Sequence, residues 1–179
     1  KEQKSDFGYT CWTLSNGARV FFKQTDFNNS EVQFEALSFG GKSRTADADR
    51  VNVELLPSVM ASTGLGNFSS TELQKKMAGK QASVSANLGQ ATETLSGQST
   101  PKDLRTLFEL IYLRFQTPAN DVDAYNNFIN LLRTQLENVE KNPQAAFRDS
   151  VNATIYGHNP RVANIHLKDL KDADYNTIR

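Results

Sequence analysis

Residues 81–115, QASVSANLGQATETLSGQSTPKDLRTLFELIYLRF, carry a hairpin and the helix that follows it. From Gln81 to Leu88, the residues Val84, Ala86 and Leu88 alternate with polar ones, the period of a strand with one buried face. Gly89-Gln90 turns the chain and Ala91 to Ser96 returns, one face polar enough to line a cavity or meet water. Thr100-Pro101-Lys102-Asp103 then opens a helix with a capping hydroxyl, a first-turn proline and a carboxylate near the free amides. Leu104, Leu107, Phe108, Ile111, Leu113 and Phe115 ride on it, and Thr117-Pro118 is expected to stop it.

Outward from this stretch the periods stay distinct. Downstream, Val122, Tyr125, Phe128, Ile129, Leu132, Leu136 and Val139 are spaced by three and four as one long helix. Asn142-Pro143 closes it and opens another through Phe147, Val151 and Ile155, ended by Gly157 and followed by a polar tail to Arg179. Upstream, Ser69-Ser70-Thr71-Glu72 is a capping-box start for a short helix with Leu73 and Met77, ending at Gly79. From Asp47, Val51, Leu55, Leu56, Val59 and Met60 share one helical side up to Gly64 and Gly66. Pro57 within that run is expected to kink the helix or break it near Val53. Val32, Phe34 and Ala36 alternate as a strand ending at Gly40-Gly41. The chain opens on a hairpin across Asn16-Gly17, the pair suited to a type I′ turn. Its second arm, Val20 to Phe22, is expected to be covered on both faces.

Strands in hairpins and helices in runs argue for α+β, an antiparallel sheet with helices packed mainly on one face. At 179 residues one domain is expected over 9–179, with 1–8 as a linker or boundary segment lacking the apolar core of a signal peptide. The 20 basic and 20 acidic residues balance, so no nucleic-acid partner is predicted. No apolar run reaches the ~20 residues of a membrane span. The single cysteine, Cys11, excludes an intrachain disulfide and reads as a small hydrophobe beside Trp12.

Trp12-Thr-Leu-Ser-Asn-Gly-Ala-Arg-Val20 resembles the hairpin that opens units of the pitrilysin/insulinase-type zinc peptidases. Ser38-Phe-Gly-Gly-Lys-Ser43, the stretch from Ser69 to Lys80, the hairpin and long helices through Asn142-Pro143, and Ile155-Tyr-Gly-His-Asn-Pro160 are similar to the family's succession of elements. The similarity runs over nearly the whole chain from Tyr9, and it rests on the ordered set rather than on one short piece. It implies the α+β unit of mitochondrial-processing-peptidase and pitrilysin type. Family units end with further strands after the helical segment, so an incomplete sheet is implied.

Peptidases of this kind hold zinc with an inverted His-x-x-Glu-His motif and a third ligand on a later helix. On the implied register Glu54 stands at the first histidine, Pro57 at the catalytic glutamate and Ser58 at the second histidine. Thr134 or Gln135 stands at the third ligand, and neither is acidic. A shift by one residue restores nothing, because residues 45–66 contain no histidine. The resemblance therefore implies a chain that binds no metal and is inactive alone, similar to the opening unit of the family's degenerate half. Its implied role is to form part of a closed peptide-binding chamber and to support the motif-bearing half, which carries the zinc.

The expected partners are that half, in the same polypeptide or another subunit, and a peptide substrate. With the partner half missing, exposed apolar surface and self-association are expected. The alternative is a catalytically inactive scaffold on the same fold that assembles with other subunits. A periplasmic or otherwise extracytoplasmic bacterial setting is implied by the resemblance alone.

His158 and His166 read as loop residues, since no Cys or His lies at ligand spacing to either. Glu54 with Glu31 or Glu35 reads as solvated carboxylates. Ser58 lacks a nucleophile elbow, so an independent enzyme with another site is the third reading. Arg44 and Arg50 flank the erased site and are placed to meet peptide carboxylates, or simply to be solvated.

Overall fold

The computed structural model describes residues 2–116 and 118–179 and divides into two units, Lys1–Glu31 and Val32–Arg179. Lys1 and Thr117 lie outside the described residues, so the linker reading at Lys1 and the helix stop at Thr117 are not addressed by it.

In the first unit β1 (Glu2–Lys4), β2 (Thr10–Thr13) and β3 (Arg19–Phe22) form an antiparallel sheet in that order. Residues 2–4, read as linker, pair with β2 from Glu2↔Trp12 to Lys4↔Thr10, and the Trp12 indole donates to the Glu2 carboxylate at 3.1 Å. The hairpin across Asn16-Gly17 forms, but its turn is not type I′. Only Gly17 has positive φ (86°), and its N–H donates to the Leu14 carbonyl while Ala18 N–H donates to Asn16 Oδ1. That is the longer loop in which a type I turn hands over to one left-handed glycine. The expected double cover on β3 is also corrected. All four of its residues are exposed, because among the described residues the unit holds no helix to lie on its sheet.

The second unit is built on a sheet ordered β4 (Val32–Phe39), β6 (Thr92–Ser99), β5 (Ala82–Leu88), all antiparallel. Its register aligns Phe34 with Gly97 and Val84, and Ala36 with Leu95 and Ala86, on one face. Glu35, Ser96 and Ser85 share the other face, as do Gln33, Gln98 and Ser83.

Before β5 come α1 (Arg50–Ser62) and α2 (Ser70–Met77); after β6 come α3 (Leu104–Gln116), α4 (Val122–Glu140), α5 (Pro143–Ile155) and the short α6 (Tyr175–Ile178). Helix α3 covers the apolar face. Fully buried Leu107 packs with Leu95 and Ile111 and is flanked by Phe34, Ala36 and Val84. Gly97 makes room for it, since a Cβ there would lie 2.8 Å from Leu107 Cδ1. The capping box Ser69/Glu72 and the Thr100 cap on Asp103 form as read.

Helix α1 runs unbroken through Pro57, correcting the break expected near Val53. The lost donor is outweighed by burial on the same helix: Val51, Leu55 and Val59 form a core with Tyr125 of α4 and Tyr175 and Ile178 of α6. The tail read as polar is therefore a core element. Tyr175 stacks on Tyr125 at 4.7 Å, donates its hydroxyl to the Ala119 carbonyl at 3.0 Å and accepts from Asp121 N–H at 3.1 Å. The run gave no periodic signal, yet its Tyr175 and Ile178 are both buried.

Candidate functional site

Helix α1 places Glu54, Pro57 and Ser58 along the flank of its buried Val51–Leu55–Val59 face. Glu54 faces a cleft of about 790 Å3 that is also lined by Leu136, Val139 and Glu140 of α4, Arg148 and Asp149 of α5, and residues 161–166. Its carboxylate is engaged: Lys42 Nζ, from the turn that follows β4, donates to Glu54 Oε2 in a half-exposed ion pair. Pro57 offers no side-chain donor atom and Ser58 is exposed. On α4, Thr134 is exposed and donates its hydroxyl to the Asn130 carbonyl one turn back, and Gln135 is exposed beside it.

This donor set does not fit zinc. Three nitrogen, sulfur or carboxylate ligands and an open position are required, whereas the Glu54 carboxylate is paired with a lysine and Pro57, Ser58, Thr134 and Gln135 offer no carboxylate, imidazole or thiolate. Among the described residues no group of three or more His, Cys, Asp or Glu side chains is placed to hold a metal ion.

The cleft is bordered by a strap, residues 158–169, tied at several points. Arg161 donates from Nη1 to the Lys42 carbonyl and from Nη2 to the Thr45 carbonyl, both at 2.9 Å, and pairs with Asp47 at 2.8 Å. One guanidinium therefore fixes both the strap and the backbone that presents Lys42, the fork geometry for which arginine differs from lysine. Arg50 pairs with Asp169 at 3.2 Å and donates to the Ala163 carbonyl, so it is a tie within the fold. Burial alone would raise the Asp169 carboxyl, but the His166 N–H and the Arg50 guanidinium outweigh it and hold the group below the usual carboxylate range. Arg44 is exposed.

His166 lies on the strap with Glu140 3.9 Å from Nδ1 and Asp149 3.7 Å from Nε2, too far for hydrogen bonds. His158 is exposed in a left-handed backbone position (φ 58°), its N–H donating to the Ala153 carbonyl at the end of α5. Within the first unit Glu31 accepts from the Asn28 amide at 3.2 Å, and in the second Glu35 stands on the open sheet face, so it does not join Glu54 in a carboxylate set. Lys42 and Arg161 were not singled out from the sequence. Lys42 lies 12 residues from Glu54 and Arg161 lies 119 from Lys42, so neither contact has a local pattern to betray it.

No protein-family model matches the chain. It is 22% identical over 94% of its length to a zinc protease PQQL-like of Arabidopsis thaliana, spanning 15% of that protein. It is 26% identical over 61% of its length to the probable zinc protease PqqL of Haemophilus influenzae, spanning 12% of that one. Its fold superposes on a chain of the ferredoxin protease FusC solved with Arabidopsis ferredoxin, with a TM-score of 0.81, 20% identity and coverage of 99% of this chain and 20% of that one. The periplasmic protease PqqL of Escherichia coli gives a TM-score of 0.79, 19% identity and coverage of 99% and 20%.

Proposed function

We propose that this chain, whose fold is that of a unit of pitrilysin-type zinc peptidases, is a non-catalytic unit of a larger enzyme. It forms part of the wall of a peptide-binding chamber and supports a motif-bearing half, which supplies the zinc. The observation that carries this is the Lys42–Glu54 ion pair, at the position that the resemblance gives to the first ligand, with Pro57 and Ser58 following it. A lysine ammonium held against that carboxylate occupies the place of a divalent cation and repels one.

The chain spans about a seventh of the Arabidopsis relative and a fifth of each of the two solved protease chains above, which supports a part rather than a whole peptidase. The open face of the second sheet, with Gln33, Glu35, Ser83, Ser85, Ser96 and Gln98, suits a chamber wall that meets peptide backbone. We place residues 9–179 as the pitrilysin-like segment, with β1 (Glu2–Lys4) adding to the edge of its first sheet. Its setting is extracytoplasmic, as the name of the Escherichia coli structure says of that protein.

The reading as a self-sufficient enzyme requires the chain alone to cut peptides, and the proposal predicts the opposite. The purified chain, supplied with zinc, is expected to leave extended peptide substrates uncut, with no change on adding a chelator. Chelator-sensitive cleavage that survives repurification would overturn the proposal.

A further inference from the structure

Two carboxylates tie the strap to the helices behind it, and a histidine lies between them. Glu140, the last residue of α4, accepts from the Leu167 N–H at 2.9 Å. Asp149 of α5 accepts from the Asn164 side-chain amide at 2.6 Å. His166 stands between these two ties, with Glu140 Oε1 3.9 Å from its Nδ1 and Asp149 Oδ2 3.7 Å from its Nε2. Both gaps exceed hydrogen-bond length, so the neutral ring is bonded to neither carboxylate. An imidazolium carries an N–H on both nitrogens and a charge that faces an anion on either side.

The other charges near the ring are already engaged or lie in solvent. Asp169 accepts from the His166 backbone N–H and pairs with Arg50 of α1. Lys42 and Glu54 pair with each other, and Arg161 pairs with Asp47. Arg148 of α5, and Lys168 and His158 of the strap, line the adjoining clefts and are exposed. Glu140 and Asp149 are therefore the anions left facing the ring.

We infer that His166 is a proton-operated latch, which closes both gaps when protonated and draws the strap onto α4 and α5. When the ring is neutral the strap loosens. The strap borders the cleft that Glu54 faces, and its Arg161 fixes the backbone that presents Lys42, so the latch sets access to that cleft. The inference rests on the strap alone and stands whether or not the chain forms a chamber wall. Its sign follows from the charges. The hold is present where imidazole is protonated and carboxylates are ionised, and it is lost as pH rises through the ordinary histidine range, about 6.5. Asp169, held below the usual carboxylate range, stays ionised across that window.

Hydrogen exchange of the full chain, read by mass spectrometry with a chelator present, tests the latch. Rates are corrected for the intrinsic effect of pH, and amides of the β4–β6–β5 sheet serve as the internal reference. The three side chains are 35%, 39% and 27% exposed, so solvent screens the pairs and the effect is modest. Protection of strap amides is expected to be about two- to tenfold greater near pH 5.5 than near pH 8, the worth of two such pairs. His166→Gln is expected to show the lower protection at both values. The double variant Glu140→Gln, Asp149→Asn keeps both acceptor oxygens, removes both charges and is expected to behave likewise. His158→Gln is expected to keep the wild-type dependence. Unchanged sheet protection shows that each variant is folded. Equal strap protection at the two pH values in the wild-type chain overturns the inference. So does a dependence that survives His166→Gln or the double variant, or one that disappears with His158→Gln.

Discussion

Tyr175→Ala is expected to destabilise the chain by about 3–5 kcal/mol, the range for removing a large aromatic from a packed core. Tyr175 is buried and stacked on Tyr125, in one cluster with Val51, Leu55 and Val59 of the helix that carries Glu54. Its loss empties the space between α1 and α4 and leaves the Asp121 N–H and the Ala119 carbonyl without their partner. Tyr175→Phe separates the two contributions. It keeps the ring and removes the hydroxyl, at a cost of about 1–3 kcal/mol for the groups left unsatisfied. Denaturant midpoints for the pair measure both, provided the slope of the transition stays constant. A midpoint for Tyr175→Ala within error of the wild type would mean that the segment after Asp172 is not part of the core.

Gly41→Ala is the second large effect, about 2–5 kcal/mol, from two causes that add. Gly41 is buried with φ of 57°, where a side chain costs roughly 1–2 kcal/mol. A Cβ there would also run into backbone rather than a movable side chain: the Gly89 carbonyl, and Thr92 N and O at 2.7 and 2.9 Å. Overpacking of that kind typically adds about 1–3 kcal/mol. The flanking hydrogen bonds, Gly40 N–H to Ala91, Lys42 N–H to Gly89 and Ser43 N–H to Gln90, zip this turn to the β5–β6 hairpin, so nothing nearby can give way. A wild-type denaturant midpoint for Gly41→Ala would contradict this seating of the turn.

What the sequence made legible follows the range of each signal. The 81–115 hairpin and helix, the Ser69/Glu72 box and the Asn142-Pro143 junction are local patterns, and each forms where it was read. The errors lie where distant partners decide. Pro57 was weighed by what it breaks locally, while the burial of Leu55 and Val59 against Tyr125 and Ile178 holds the helix together. The tail was judged by its polarity, though the packing of two of its residues gives it a place. Asn16-Gly17 signalled a turn correctly, but the loop length, not the dipeptide, selected the turn type.

The candidate site was legible in the same divided way. That Glu54, Pro57 and Ser58 ride on one helix follows from the local period. The contacts of Lys42 and Arg161 do not, because Lys42 arrives from the turn after β4 and Arg161 from the strap.

Zinc content after equilibration with a trace of free zinc and gel filtration tests the central claim most directly. The account predicts far less than one zinc per chain, with no shift in thermal midpoint on adding the metal. One zinc retained per chain, lost together with Glu54→Ala or with His158→Ala and His166→Ala, would contradict it.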